Sequence, residues 1–194
     1  MTLDTNCLYE LDAQDAPSLS LGRIRELGRE SRIVVCVPAI AASERQPDGQ
    51  QLSNFGQFRE RLEQIGLESS EILRPIAYLG IAYLDWCVLS GPILETKERA
   101  IHEILFPSIA FKAAEHCPPV DVDGRRKWRN AKCDVQAMWC HIHYGGNIFI
   151  TRDRNFHKMS KKSRIEALGA GEIATPEQAV AFLERDWQTK DPSL

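Results

Sequence analysis

Four acidic residues, Asp4, Glu44, Asp134 and Asp153, are the side chains of this sequence best suited to chemistry. Each taken alone has a plain structural role: Asp4 and Asp153 as turn formers, Glu44 as a solvated helix charge, Asp134 as an acid at a helix N-terminus. Gathered in one place, they need a different account. Clustered carboxylates repel one another unless a cation lies among them, and hard cations such as Mg²⁺ and Mn²⁺ take oxygen ligands. A metal site would explain the set.

The elements around these residues predict such a gathering. Residues 1 to 4 form a short apolar strand that ends on Asp4, and Ile33 to Val37 (IVVCV) is a β-branched run of the buried parallel-strand kind. Between them Leu21, Ile24 and Leu27 make one apolar stripe on a helix over Leu19 to Arg29, giving a β-α-β unit. Pro38 suits a first helical turn, so AIAASERQ reads as a short helix carrying Glu44, broken by QPDG at 46–49. Phe55, Phe58, Leu62 and Ile65 mark a further helix. A third strand is expected within Ile76 to Leu89, a helix over Glu95 to Leu105, and a loop over 114–130.

Val135, Met138, Trp139 and Ile142, at i, i+3, i+4 and i+7, predict a helix over 131–143 that Asp134 opens and Gly145 and Gly146 end. Ile148 to Thr151 (IFIT) is the fourth strand, with Asp153 just beyond it. A short strand near Ile173 and a helix from Thr175 to Glu184 close the chain. Alternating strands and helices imply an α/β fold, a parallel sheet covered on both faces, in one three-layer α/β/α domain over 1–194 with an enlarged segment at about 66–130. Such sheets bind ligands beyond the carboxyl ends of their strands, where all four acids are expected.

Cations flank the acids. RRKWRNAK places Arg125, Arg126, Lys127 and Arg129 around Trp128 just before Asp134, and HKMSKKSR follows Asp153. Cations that hold phosphates beside an aromatic ring that stacks on a base suit a single-stranded nucleic acid; a solvated basic loop is the equal alternative. Cys140, His141 and His143 lack zinc-site spacing. No glycine-rich phosphate loop, GxSxG or HExxH is present.

Composition bounds the rest. With 194 residues and 43% hydrophobic content the chain can bury a sizeable core, and its formal charge of -3 neither supports nor excludes RNA. Six cysteines without CxxC spacing suit a reducing cytosol, and the N-terminus has no basic or apolar leader region, so a cytoplasmic protein is expected. No apolar run reaches the roughly 18 residues of a membrane span.

LDTNCLYEL, VPAIAASE, the Asp134 helix and FITRDRNF, in that order, resemble the motifs of PIN-domain nucleases, including their toxin-type and stand-alone ribonucleases. The resemblance spans nearly the whole chain. It implies a sheet ordered 3-2-1-4-5 and a metal-dependent ribonuclease in which Asp4, Glu44, Asp134 and Asp153 hold Mg²⁺ or Mn²⁺, supported by Asn6 and Thr151. Asn155 stands where many members carry another carboxylate, which weighs against a second tightly held metal. The stretch between Glu44 and Asp134 is longer than in the small toxins. Alternatives are a structure-specific DNA nuclease and a weakly catalytic PIN-like scaffold that binds RNA or protein. Beyond RNA, the resemblance allows a homodimer and an antitoxin-like protein partner.

Overall fold

Five strands, β1 (Thr2–Leu3), β2 (Cys36–Pro38), β3 (Glu71–Leu73), β4 (Ile148–Ile150) and β5 (Glu172–Ala174), form one parallel sheet in the order β3-β2-β1-β4-β5. The computed structural model describes residues 1–13, 18–44 and 52–190, with side chains through residue 185. The 46–49 breaker lies outside the described residues.

Strand side chains alternate between the two faces, and successive residues enter different cores. Leu3, Val37, Ile72, Ile150 and Ala174 join one cluster, while Cys36, Leu73, Phe149 and Ile173 join the other. The first cluster is closed by α1 (Thr5–Asp12), α2 (Leu19–Arg29), α3 (Phe55–Gln64) and the last helix, Pro176–Lys190. The second is closed by α4 (Pro92–Leu105), α6 (Val122–His143) and α8 (Met159–Ile165). Two short helices, α5 (Ala113–His116) and α7 (Arg154–His157), precede α6 and α8; the last helix is α9. The result is the three-layer α/β/α arrangement, with β1 and β4 at the point where the strand order reverses.

Several elements differ from the sequence reading. The third strand is Glu71–Leu73 rather than a piece of Ile76 to Leu89, which contributes a single bridge, Ile76 to Val88. The apolar residues of that later stretch are used in packing: Ile76 and Ile81 enter the second core, and Trp86 stacks on Phe55 at 4.4 Å. Strand β2 begins at Cys36, not Ile33, because its ladder starts only where β1 and β3 reach it. Residues 5–12, not assigned from the sequence, form α1, capped by Asp4.

The largest correction is α6. Residues 122–130 are helical, not a loop, because Asp121 caps the helix through Oδ1 to Gly124 N at 2.9 Å and RRKWRNAK is made of adequate helix formers. Asp134 therefore lies deep within the helix rather than at its start. At the other end, Gly145 takes φ 71°, Gly145 N donates to Ile142 O and Gly146 N to His141 O at 2.8 Å, a Schellman stop.

Candidate functional site

The pairing of Leu3 with Ile150 fixes the centre of the site, since it brings the residues after β1 and β4 side by side. Asp4 N donates to Ile150 O at 2.9 Å. The Asp4 side chain, 4% exposed, caps α1 through Oδ1 to Thr5 N at 2.9 Å. Its Oδ2 accepts from the Thr151 hydroxyl at 2.6 Å and from Asn6 Nδ2. Thr151 Oγ1 in turn accepts from Asp153 N at 3.0 Å, and Asp153 caps α7 through Oδ1 to Asn155 N at 2.8 Å. Asn6 Oδ1 accepts from Arg152 N at 3.0 Å. Asn6 and Thr151 thus tie the two acids into one hydrogen-bonded unit.

Glu44 follows the 3₁₀ turn Ala39–Ser43 as its C-cap, instead of lying on a helix. The Thr5 hydroxyl donates to Glu44 Oε1, and Arg129 donates to the carbonyls of Ser43, at 2.7 Å, and Gly80. Arg129 so lies beside Glu44, and its charge favours the ionised carboxylate. Asp134 faces the same space from α6. Among the described residues no donor meets its half-buried carboxylate.

Electrostatics link all four. Burial, with the charge of Asp153 adding to it, pushes the Asp4 carboxyl up to about 6 against the hydrogen bonds from Thr151, Thr5 and Asn6, which hold it down. Burial and the Asp4 charge push Glu44 up to about 8. Burial and the charges of Glu44, Asp4 and Asp153 hold Asp134 well above the carboxylate range. Tyr9, on α1, is also raised by burial and by Glu44. Asp134 therefore lies within the field of the other three acids, yet among the described residues no group of three His, Cys, Asp or Glu side chains is placed to hold a metal ion.

The other expected positions fall around this centre. Asn155 Oδ1 accepts from Lys161 Nζ at 2.6 Å, and Lys161 also donates to Leu105 O, so an ammonium group fills the space beside Asn155. Arg125, Arg126 and Lys127 are exposed on the first turns of α6; Arg126 pairs with Asp123 at 3.1 Å and Arg125 donates to Pro119 O. Trp128 is half-buried, with its indole N–H donated to Ala110 O at 3.1 Å. His141 is a core residue, held by Thr2 Oγ1 at 2.8 Å and Ala170 O at 2.6 Å.

Three features carried no usable signal of their own. Thr5 adjoins Asp4 in sequence, but its bond to Glu44 spans 39 residues. Arg152, between Thr151 and Asp153, binds Glu10 on α1 and Glu177 on α9, joining three elements at the site's edge. Lys161 belongs to a run of cations in which no spacing singles it out. Comparison with known proteins adds no relative: no family model matches the chain, and no curated protein or solved structure matches it significantly.

Proposed function

We propose that this chain is a metal-dependent nuclease that hydrolyses phosphodiester bonds of single-stranded RNA, with Asp4, Glu44, Asp134 and Asp153 as the residues that would hold Mg²⁺ or Mn²⁺. The observation that carries the reading is the Asp134 carboxylate, half-buried, met by no donor among the described residues, and facing three other acids. The donor set is all oxygen, as hard cations require. The motif resemblance to PIN-domain nucleases points the same way. When bound, a divalent cation activates water and offsets charge on the phosphate under attack.

The chain's own residues prepare for this. Thr151 and Asn6 fix the Asp4 carboxylate, and Thr5 fixes Glu44. Asp134 has no such tether among the described residues, so it is the acid with most acceptor capacity left for a cation. Acids raised by burial give up protons when they ligate, which makes cation affinity rise with pH. This chemistry suits any phosphodiester; RNA as the partner, like a homodimer or an antitoxin-like protein, follows from the resemblance.

The test is cleavage of single-stranded RNA, structured RNA and single-stranded DNA with Mn²⁺, Mg²⁺ or EDTA. Cleavage of unpaired RNA that EDTA abolishes and Asp153→Asn abolishes is expected. Cleavage indifferent to EDTA, or none with either metal, would refute the reading, and preference for DNA would correct the substrate.

A further inference from the structure

The sequence reading left the cations of 125–129 as either a substrate contact or a solvated surface. As helix, they take up a defined place. Arg126, Asn130 and Asp134 recur at intervals of four, so they share one face of α6. Asn130 lies about 6 Å along the helix axis from Asp134, and Arg126 about 12 Å. That face opens on a cleft of about 490 Å³. Arg125, Arg126, Arg129 and Asn130 supply its polar lining, with no carboxylate among the lining residues, in a chain whose net charge is -3.

The apolar side of the cleft is equally defined. Trp128 lines it while Lys132 Nζ lies 5.5 Å from the ring centroid on the buried side. Leu79, 89% exposed, and Val122, 76% exposed, stand at its mouth. Arg129 belongs both to this cleft and to an adjoining hollow lined by Ser43, and its guanidinium holds the Ser43 carbonyl next to Glu44. The cleft and the acidic centre therefore meet at Arg129.

We infer that this cleft is a nucleotide subsite, which takes one unpaired nucleotide next to the phosphate that reaches the acids. The guanidinium groups meet the flanking phosphates, Trp128 and the aliphatic wall meet the base, and Asn130 offers it a donor and an acceptor. The cleft is walled by α5, the 79–81 turn and α6, and a base that stacks on Trp128 inside it has left its pairing partner, so the subsite would favour single strands. This rests on the nuclease reading for the role of the acids, but binding in the cleft needs no cation and is measured without one.

The experiment is fluorescence anisotropy in EDTA with short labelled oligonucleotides of one mixed sequence, as single-stranded RNA, single-stranded DNA and RNA duplex. Full-length protein is compared with Arg125→Ala/Arg126→Ala and with Val122→Glu. Val122→Glu puts a negative charge at the cleft mouth on the first turn of a helix, where an acid favours folding. Wild type is expected to bind single strands at least tenfold more tightly than duplex. The arginine pair should weaken that binding about tenfold and lower its log-log salt slope by about 0.7 for each lost contact. Val122→Glu should weaken it several-fold with unchanged melting temperature. RNA and DNA binding equally would assign the subsite to single strands in general, and RNA alone to a contact with the ribose hydroxyl. Duplex binding as tight as single-strand binding, or both variants binding as wild type does, overturns the inference. Should the variants lose binding while wild type cleaves nothing with Mn²⁺, the subsite stands and the nuclease reading falls.

Discussion

At the scale of single residues, the four acids are not equivalent, and their partners say how each responds to loss of charge. Asp4 accepts from Thr5, Thr151 and Asn6, so Asp4→Asn gives up acceptor capacity along with repulsion and should leave metal-free stability near wild type. Asp134 accepts from no donor among the described residues and is pressed by three acids. Asp134→Asn should raise the melting temperature in EDTA by about 2–4 °C, the shift that roughly 1 kcal/mol gives in a chain of this size. A melting temperature equal to or below wild type would show that Asp134 is not under repulsion. His141 titrates in the opposite sense to these acids. Burial lowers its imidazole from 6.5 to about 4, so the stability its neutral ring supports is complete above pH 6.5 and is lost as pH falls toward 4, about 3 kcal/mol in all. The raised acids favour the fold at low pH, so a bulk melting curve mixes the two trends. An NMR titration of the His141 ring separates them, and a midpoint near 6.5 would sink the assignment.

Among the elements, α6 carries most of what the site needs, and one buried network sets its place. Lys132 and Glu98, both fully buried, pair at 2.8 Å between α6 and α4. Glu98 also accepts from Gln136 Nε2 at 2.7 Å and from the Tyr78 hydroxyl at 2.8 Å, while Gln136 Oε1 accepts from Ile76 N at 2.9 Å. Lys132 Nζ lies 3.9 Å from the Phe111 ring centroid. Removing one buried partner strands the other's charge. Lys132→Met should cost about 3–5 kcal/mol in urea unfolding, and adding Glu98→Gln should recover most of it, since the amide still accepts from Gln136. Unchanged stability in the single variant would refute this account. The network also shows where sequence reasoning stops. The stripe of Val135, Met138, Trp139 and Ile142 was legible because apolar spacing reports one helix face directly. The first half of α6 was not, because cations carry no such period and the helix start depends on a single cap at Asp121. Strand β3 escaped for a related reason, as three residues with only Leu73 buried make no pattern.

Across the whole molecule, the strand order was legible from strand ends and motif order once the sheet was taken as parallel. The strand order seats Asp4 and Asp153 on neighbouring strands β1 and β4, while Glu44 arrives from the end of β2 and Asp134 from α6. What could not be read was the state of the site, because hydrogen bonds such as Thr5 to Glu44 and Arg129 to Ser43 depend on side-chain placement across long loops. A cation bound among these acids, as proposed, would relieve their repulsion and so stabilise together the elements that carry them. If the proposed site binds Mn²⁺, a concentration near one hundred times Kd should add about 2.7 kcal/mol, roughly 5–11 °C in melting temperature for a domain of this size. The gain should grow from pH 6 to pH 8, because Glu44, raised to about 8, and Asp4, raised to about 6, must lose protons to ligate. Asp134→Asn should lose most of the gain while keeping its own higher melting temperature in EDTA, which separates loss of the site from loss of the fold. The same rise with Mn²⁺ in wild type and Asp134→Asn would place the cation elsewhere, and no rise in wild type at any pH would remove the metal from the proposed mechanism.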